Sequence, residues 1–185
     1  MTHRIDVSSV LRSTVTSLYS NLVTRPTGAA VRTAIEQQVV DIGVPVVTTI
    51  DFSQVNLLDF SCADEIVAKL LLRYADVDGP SGYLLFLGIH DGHLDPIETV
   101  LERHELALVA LHDGRAELYG CASEDERWLW EVVREDGPIT AWDAARAIDA
   151  PLADTEVLLD VLCRRRLIMH GDQGYVIPGA IPSIS

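Results

Sequence analysis

The chain has 185 residues and a formal net charge of −14, from 28 acids against 14 bases. That length suits one ordinary domain, or a medium domain with a small one attached, and the negative field repels phosphate backbones and anionic membranes, so nucleic-acid binding would have to rest on a local basic patch. No apolar run approaches the roughly 18 to 20 uncharged residues of a membrane span, and the opening MTHRIDVSSV lacks a signal peptide's apolar stretch, so a soluble cytoplasmic protein is expected.

In chain order, residues 8–24 place Leu11, Val15, Leu18 and Leu22 on one stripe of a helix, which VTRPTG then breaks. A second helix is predicted from Pro26 or Thr27, carrying Val31, Ala34, Ile35 and Val39 inward and ending at IGVP. Val46 to Phe52 is rich in β-branched residues and nearly free of charge, which suits a strand covered on both faces. After SQVN and Leu57-Leu58-Asp59, a helix follows whose apolar positions Ile66, Val67, Leu70, Leu71 and Tyr74 fit a period of 3.6. DVDGPSG is a loop and YLLFLGIH a second buried strand. DPIETVLERHE reads as a helix capped by Asp95 with Pro96 in its first turn, and ALVALHD and AELYGCA as strands turned by Asp113-Gly114. This alternation predicts an α/β domain over residues 1–122, a mostly parallel or mixed sheet with helices packed against it.

From residue 123 the pattern changes. SEDERWLWEVVRED is a helix stopped by GP, Thr140 with Asp143 forms a capping box for AWDAARAID, and APLADTEVLLDVLCRRR supplies a third helix. LIMHGDQGYVI then reads as a hairpin turned over Gly171 to Gly174. Three short helices and one hairpin make residues 123–185 a winged helix.

The three cysteines, Cys62, Cys121 and Cys163, form no C-x-x-C pair and read as small buried hydrophobes. In HDGHLD, His90, Asp91, His93 and Asp95 carry metal-binding chemistry, but a strand-to-helix turn explains the same residues and no zinc spacing is met. His104, His112 and His170 stand isolated. Arg25 and Arg32 flank Gly28 ahead of a helix; without the further glycines or lysine of a phosphate loop they read as a turn and surface arginines, a candidate partner contact on an acidic domain. No nucleophile elbow, Cys/His dyad or carboxylate pair is recognisable, so neither an enzyme nor a cofactor is expected.

Asp59-Phe60-Ser61-Cys62 is the segment that carries most meaning. Ser61, Asp64 and Glu65 match the S-x-x-D/E signature of a helix start, with the serine oxygen accepting a backbone N–H and the carboxylates facing the positive end of the helix dipole. As a cap alone, Ser61 would contribute on the order of 1 kcal/mol.

The stretch IDFSQVNLLDFSCADEIVAKLL also resembles the STAS domains of anti-sigma factor antagonists, in which a buried strand ends in an aspartate and a D-S/T-S-G motif opens a helix. It is similar too to the STAS-like branch of unknown function, matched here by Cys62-Ala63-Asp64-Glu65. The resemblance covers about the first two thirds of the chain. It sets Asp51 at the strand end, Asp59 first in the motif and Ser61 at the phosphoacceptor position. Phe60 replaces the family's hydroxyl residue and Cys62 its glycine.

What the resemblance implies is regulation by protein-protein binding, with the helix opened by Ser61, through Asp59, Ser61, Cys62, Asp64 and Glu65, as the docking surface and Ser61 as the phosphorylation candidate; the basic pair Arg25 and Arg32 joins them as candidate partner contacts. The implied partner is an ATP-binding anti-sigma or histidine-kinase-like protein, with a homodimer also compatible. A phosphate on Ser61 would add about two charges to a surface crowded by Asp59, Asp64 and Glu65, reversing complementarity with a partner docked on the hydroxyl. The rival reading is a transcription regulator whose winged helix binds DNA. Residues 123–185 carry 12 acids against 6 bases, the wrong sign for that role. Of Trp128, Trp130 and Trp142, the first two stand i, i+2 and cannot both face inward.

Overall fold

The computed structural model describes residues 2–15, 21–43 and 46–179. The chain is α/β and divides into two compact units, Met1–Cys121 and Ala122–Ser185.

In the first unit a five-stranded sheet runs in the order β1 (Thr2–Asp6), β3 (Val47–Asp51), β5 (Tyr83–Leu87), β6 (Ala107–His112), β7 (Arg115–Gly120). The first four are mutually parallel and β7 returns antiparallel through Asp113-Gly114. Both turn residues have positive φ, 49° and 79°, the backbone a two-residue hairpin needs. β3 is buried at every position, as its charge-free sequence predicts. Its register aligns Ile5, Ile50, Phe86 and Ala110 in one row across the sheet.

Each parallel strand lies beside its predecessor, so right-handed crossovers place the connecting helices on one face. These are α2 (Arg25–Asp41), the run α3 (Phe60–Ala63), π turn (Asp64–Ala68) and α4 (Lys69–Ala75), and α5 (Asp91–Arg103). Val31, Ile35, Ile66, Leu70, Ile97 and Leu101 close one core with the sheet row.

Three sequence expectations are corrected. The stripe over residues 8–24 is not one helix: α1 spans Val7–Thr14, Leu18 lies outside the described residues, and Leu22 belongs to a two-residue strand, β2 (Asn21–Leu22). The opening residues, assigned no structure from sequence, form β1, whose Asp6 caps α1 by accepting from the N–H groups of Ser8 and Ser9. Finally, α5 starts at Asp91 rather than at Asp95: His90 takes the N-cap, its Nδ1 accepting from the Gly92 N–H at 3.1 Å, and Pro96 lies inside the helix. The expected IGVP stop falls partly outside the described residues, at Val44 and Pro45.

The second unit consists of α6 (Glu124–Asp136), α7 (Ala141–Ala147), α8 (Leu152–Arg164) and the hairpin β8 (Met169–Gly171) and β9 (Gly174–Val176), with Ile139 bridging antiparallel to Tyr175. Ser123 and Glu126 form a reciprocal capping box on α6, and Thr140 caps α7. Trp130 is fully buried and donates its indole N–H to the Leu167 carbonyl at 3.1 Å, while Trp128 and Trp142 are exposed. His170, isolated in the sequence, packs edge-on against Tyr175.

Candidate functional site

The helix start that carries Ser61 is positioned by a short ladder. β2 pairs in parallel with β4 (Leu57–Leu58), aligning Leu22 with Leu58, and the Asp59 N–H extends the ladder to the Leu22 carbonyl at 2.9 Å. Both leucines are buried. Two chain segments that each run into a helix are thereby clamped side by side, so Thr24, before α2, lies against Asp59, before α3.

Asp59, not Ser61, is the cap. Its Oδ1 accepts the Cys62 N–H at 2.8 Å and its Oδ2 accepts the Thr24 N–H at 2.9 Å, so one carboxylate closes one helix and ties it to the entrance of the next. Burial alone would raise this carboxyl, but the N–H groups of Thr24 and Cys62 outweigh it and hold it below the ordinary carboxylate range. Ser61 is the second residue of the helix, half-buried.

Thr24 is held at φ 75°, a conformation a β-branched residue rarely adopts. Its neighbours over-determine it: the N–H goes to Asp59, and the carbonyl accepts from Gly28 N–H at 3.1 Å and from Cys62 Sγ at 3.1 Å. Gly28 lets the helices touch, since a Cβ there would stand 2.9 Å from Cys62 Cα and 3.0 Å from Glu65 Cβ. Cys62 is buried, and burial first, then the Asp59 charge, pushes its thiol up to about 12. It is a packing residue rather than a nucleophile.

Asp64 and Glu65 do not face the helix terminus. They lie in the π turn, 6% and 2% exposed, beneath a layer of cations. Arg25 Nη1 donates to Asp64 at 2.7 Å and to Glu65 at 2.8 Å; Arg32 reaches Glu65 at 3.4 Å and Glu36 at 2.8 Å; and Lys69 completes the set on Glu65. His104, at the end of α5, lies 2.8 Å from Asp64, so it is not isolated. Burial would raise both carboxyls. For Asp64 the bonds from Arg25 and His104 reverse this, and for Glu65 those from Lys69 and Arg25, leaving both below the ordinary range. The crowd of acids expected on the surface is thus submerged, while Arg25 and Lys69 remain nearly half-exposed above it. Arg25 and Arg32 are the clamps of a buried carboxylate pair, not free surface arginines.

Sequence reasoning found Arg25, Arg32, Asp59, Ser61, Cys62, Asp64 and Glu65, and the structure brings all of them to the α2/α3 junction. It missed Thr24, Lys69 and His104, which no motif marks. Asp51, at the end of β3, lies apart: Arg4 donates to it through Nε and Nη2, and the Ser53 N–H and hydroxyl bind its other oxygen. Among the described residues no group of three or more His, Cys, Asp or Glu side chains is placed to hold a metal ion. Compared with known families, curated proteins and solved structures, the chain finds no match.

Proposed function

We propose that the chain is a non-enzymatic regulatory protein that acts by binding another protein, with the first turns of the Asp59-capped helix as its docking surface and Ser61 as a phosphorylation switch. The observation that carries this reading is the setting of Ser61. The helix around it is fixed from three sides, by the Asp59 cap, the Gly28–Cys62 contact and the Arg25 clamp, while Ser61 keeps part of its surface open. A rigid element presenting a small hydroxyl suits a pre-organised interface.

Charge supports the switch in a form the sequence did not suggest. Asp64 and Glu65 follow Ser61 by three and four residues, so Arg25, bridging both, covers the same helix face as Ser61. Phosphorylation would therefore place about two negative charges among outward-facing cations, replacing a neutral hydroxyl beside a cationic rim with an anionic patch. The STAS resemblance points the same way, toward an ATP-binding anti-sigma or kinase-like partner. In the second unit, three helices and a hairpin tied back through Ile139 and Tyr175 favour the winged-helix reading, here in a protein-binding role.

The test is capture of partners from the native cytosol on wild type and Ser61→Glu, followed by a binding titration with the retained protein. The wild type should hold a stoichiometric partner that Ser61→Glu binds at least about tenfold more weakly, roughly 1.4 kcal/mol, with both proteins melting alike. Equal affinity for both forms sinks the switch, and no retained partner sinks the reading.

A further inference from the structure

The first turn of α5 carries an arrangement that the docking site does not use. His90 and His93 stack with ring centroids 3.6 Å apart, and both Nε2 atoms approach one carbonyl, that of Val55, at 3.3 and 3.0 Å. Val55 lies in the segment leading from β3 to β4 and thence to Asp59. His90 Nδ1 accepts the Gly92 N–H, so its proton sits on Nε2 and is donated to Val55. His93 is fully buried with the Phe52 ring beside it; its Nε2 likewise donates to Val55, and its Nδ1 has no partner.

We propose that His93, stacked on His90, is a proton-operated latch, closed while its ring is neutral and released on acidification, that fastens the start of α5 to the segment entering the Ser61 helix. An added proton on His93 opposes the closed state. Carried on Nδ1, it places a cation in an apolar site with nothing to accept from it.

Other charges do not rescue the closed form. Among residues 52–56 there is no titratable side chain, and Asp51, at the end of β3, is occupied by Arg4 and Ser53. The elements packed on α5 bring Cys62 from α3, Asp64, which is turned toward Arg25 and His104, Glu65, held by Arg25, Arg32 and Lys69, and from β7 Arg115, Glu117 and Tyr119, whose hydroxyl donates to Glu117. On α5 itself Asp91 and Asp95 are exposed. Burial first and the His90 ring second push His93 down to about 4.

The sign follows. In the opened first turn His93 titrates near its ordinary 6.5, so the open form binds the extra proton between pH 6.5 and about 4 and gains as pH falls. At pH 5 the gain over pH 7 is about 20-fold. Because α5 also presents His104 to Asp64 and Arg103 over the Phe60 ring, its release bears on the candidate site.

Hydrogen exchange on the full chain, corrected for intrinsic pH dependence, tests the latch without any partner, independently of the proposed function. Protection over residues 88–97 should fall by about 20-fold between pH 7 and 5, while protection in β6 holds. His93→Gln, which keeps a donor for Val55 and removes the titration, should abolish the fall. PH-independent protection in the wild type, or an unchanged fall in His93→Gln, overturns the proposal. Should His93→Gln not fold, histidine NMR on the wild type decides: His93 staying neutral with the proton on Nε2 down to pH 5 in the closed form supports the latch, and its titration near 6.5 without opening refutes it.

Discussion

Asp59 and Ser61 are both capping residues by type, and the start of the helix can take only one. The S-x-x-D/E pattern favoured Ser61, because the sequence shows neighbours along the chain and not the Thr24 N–H, 35 residues away, that draws the Asp59 carboxylate into place. With Asp59 bound to two N–H groups, its replacement exposes two orphan donors, whereas Ser61 has no cap to lose. Asp59→Ala should therefore cost about 1 to 2 kcal/mol of stability and Ser61→Ala no more than about 0.5 kcal/mol, measured as midpoint shifts in urea. The reverse order would return the cap to Ser61. Cys62 was legible as a buried hydrophobe from its type. Its contact with Gly28 was not, since glycine and cysteine become informative only when two helices are known to cross there.

The elements that sequence reveals best are those whose reason to form is local. β3 and β5 are apolar runs bounded by turn residues, and β6 and β7 are joined by Asp-Gly; all lie where the pattern puts them. β1 escaped notice because Thr2–Asp6 has one apolar residue, Ile5, among polar and charged ones, and gains its order by pairing with β3, some 45 residues on. The start of α5 was misplaced because Asp95-Pro96 imitates a helix beginning more closely than a histidine cap does. The π turn is likewise invisible to periodicity. Its two acids matter energetically because they are buried and ionised: held below the ordinary range, they contribute stability that is present above about pH 4.5 and is lost as pH falls through their folded values. Glu65→Gln should thus destabilise the protein by about 2 kcal/mol at pH 7, and the gap to wild type should narrow toward pH 3, as wild-type Glu65 takes up its proton. Urea midpoints at both pH values check this, and an equal gap at each would mean that charge is not what Glu65 supplies. The latch does not confuse the comparison, because His93 is common to both proteins.

At the scale of the whole molecule, charge weighs against the DNA-binding alternative to the proposed function. A net of −14 leaves DNA binding only to a local patch, and the unit with the helix order of a DNA reader has its cations tied down: Arg164 lies 2.8 Å from Asp160, Arg165 lies 2.9 Å from Glu126, and Arg134 pairs with Glu131 and Glu135. The start of α8, which would enter a groove, carries Asp154 and Glu156. In the first unit Arg25, Arg32, Lys69 and Arg73 gather on α2 and α4, likewise paired, with Glu36, Asp64 and Glu65. A protein neutralising six or more phosphates loses about 10³ or more in affinity between 50 and 200 mM salt. Fluorescence anisotropy with a labelled duplex should show no binding by the full chain at about 50 mM salt even at about 10 μM protein, a concentration within the range of ordinary non-specific dissociation constants. A saturable signal with a steep salt slope would move the function to DNA, and Asp154→Lys with Glu156→Lys, which reverses the charge at the start of α8, would then be expected to strengthen it. If binding is absent in the wild type and appears in that double variant, the fold could serve DNA and its charge is what withholds it.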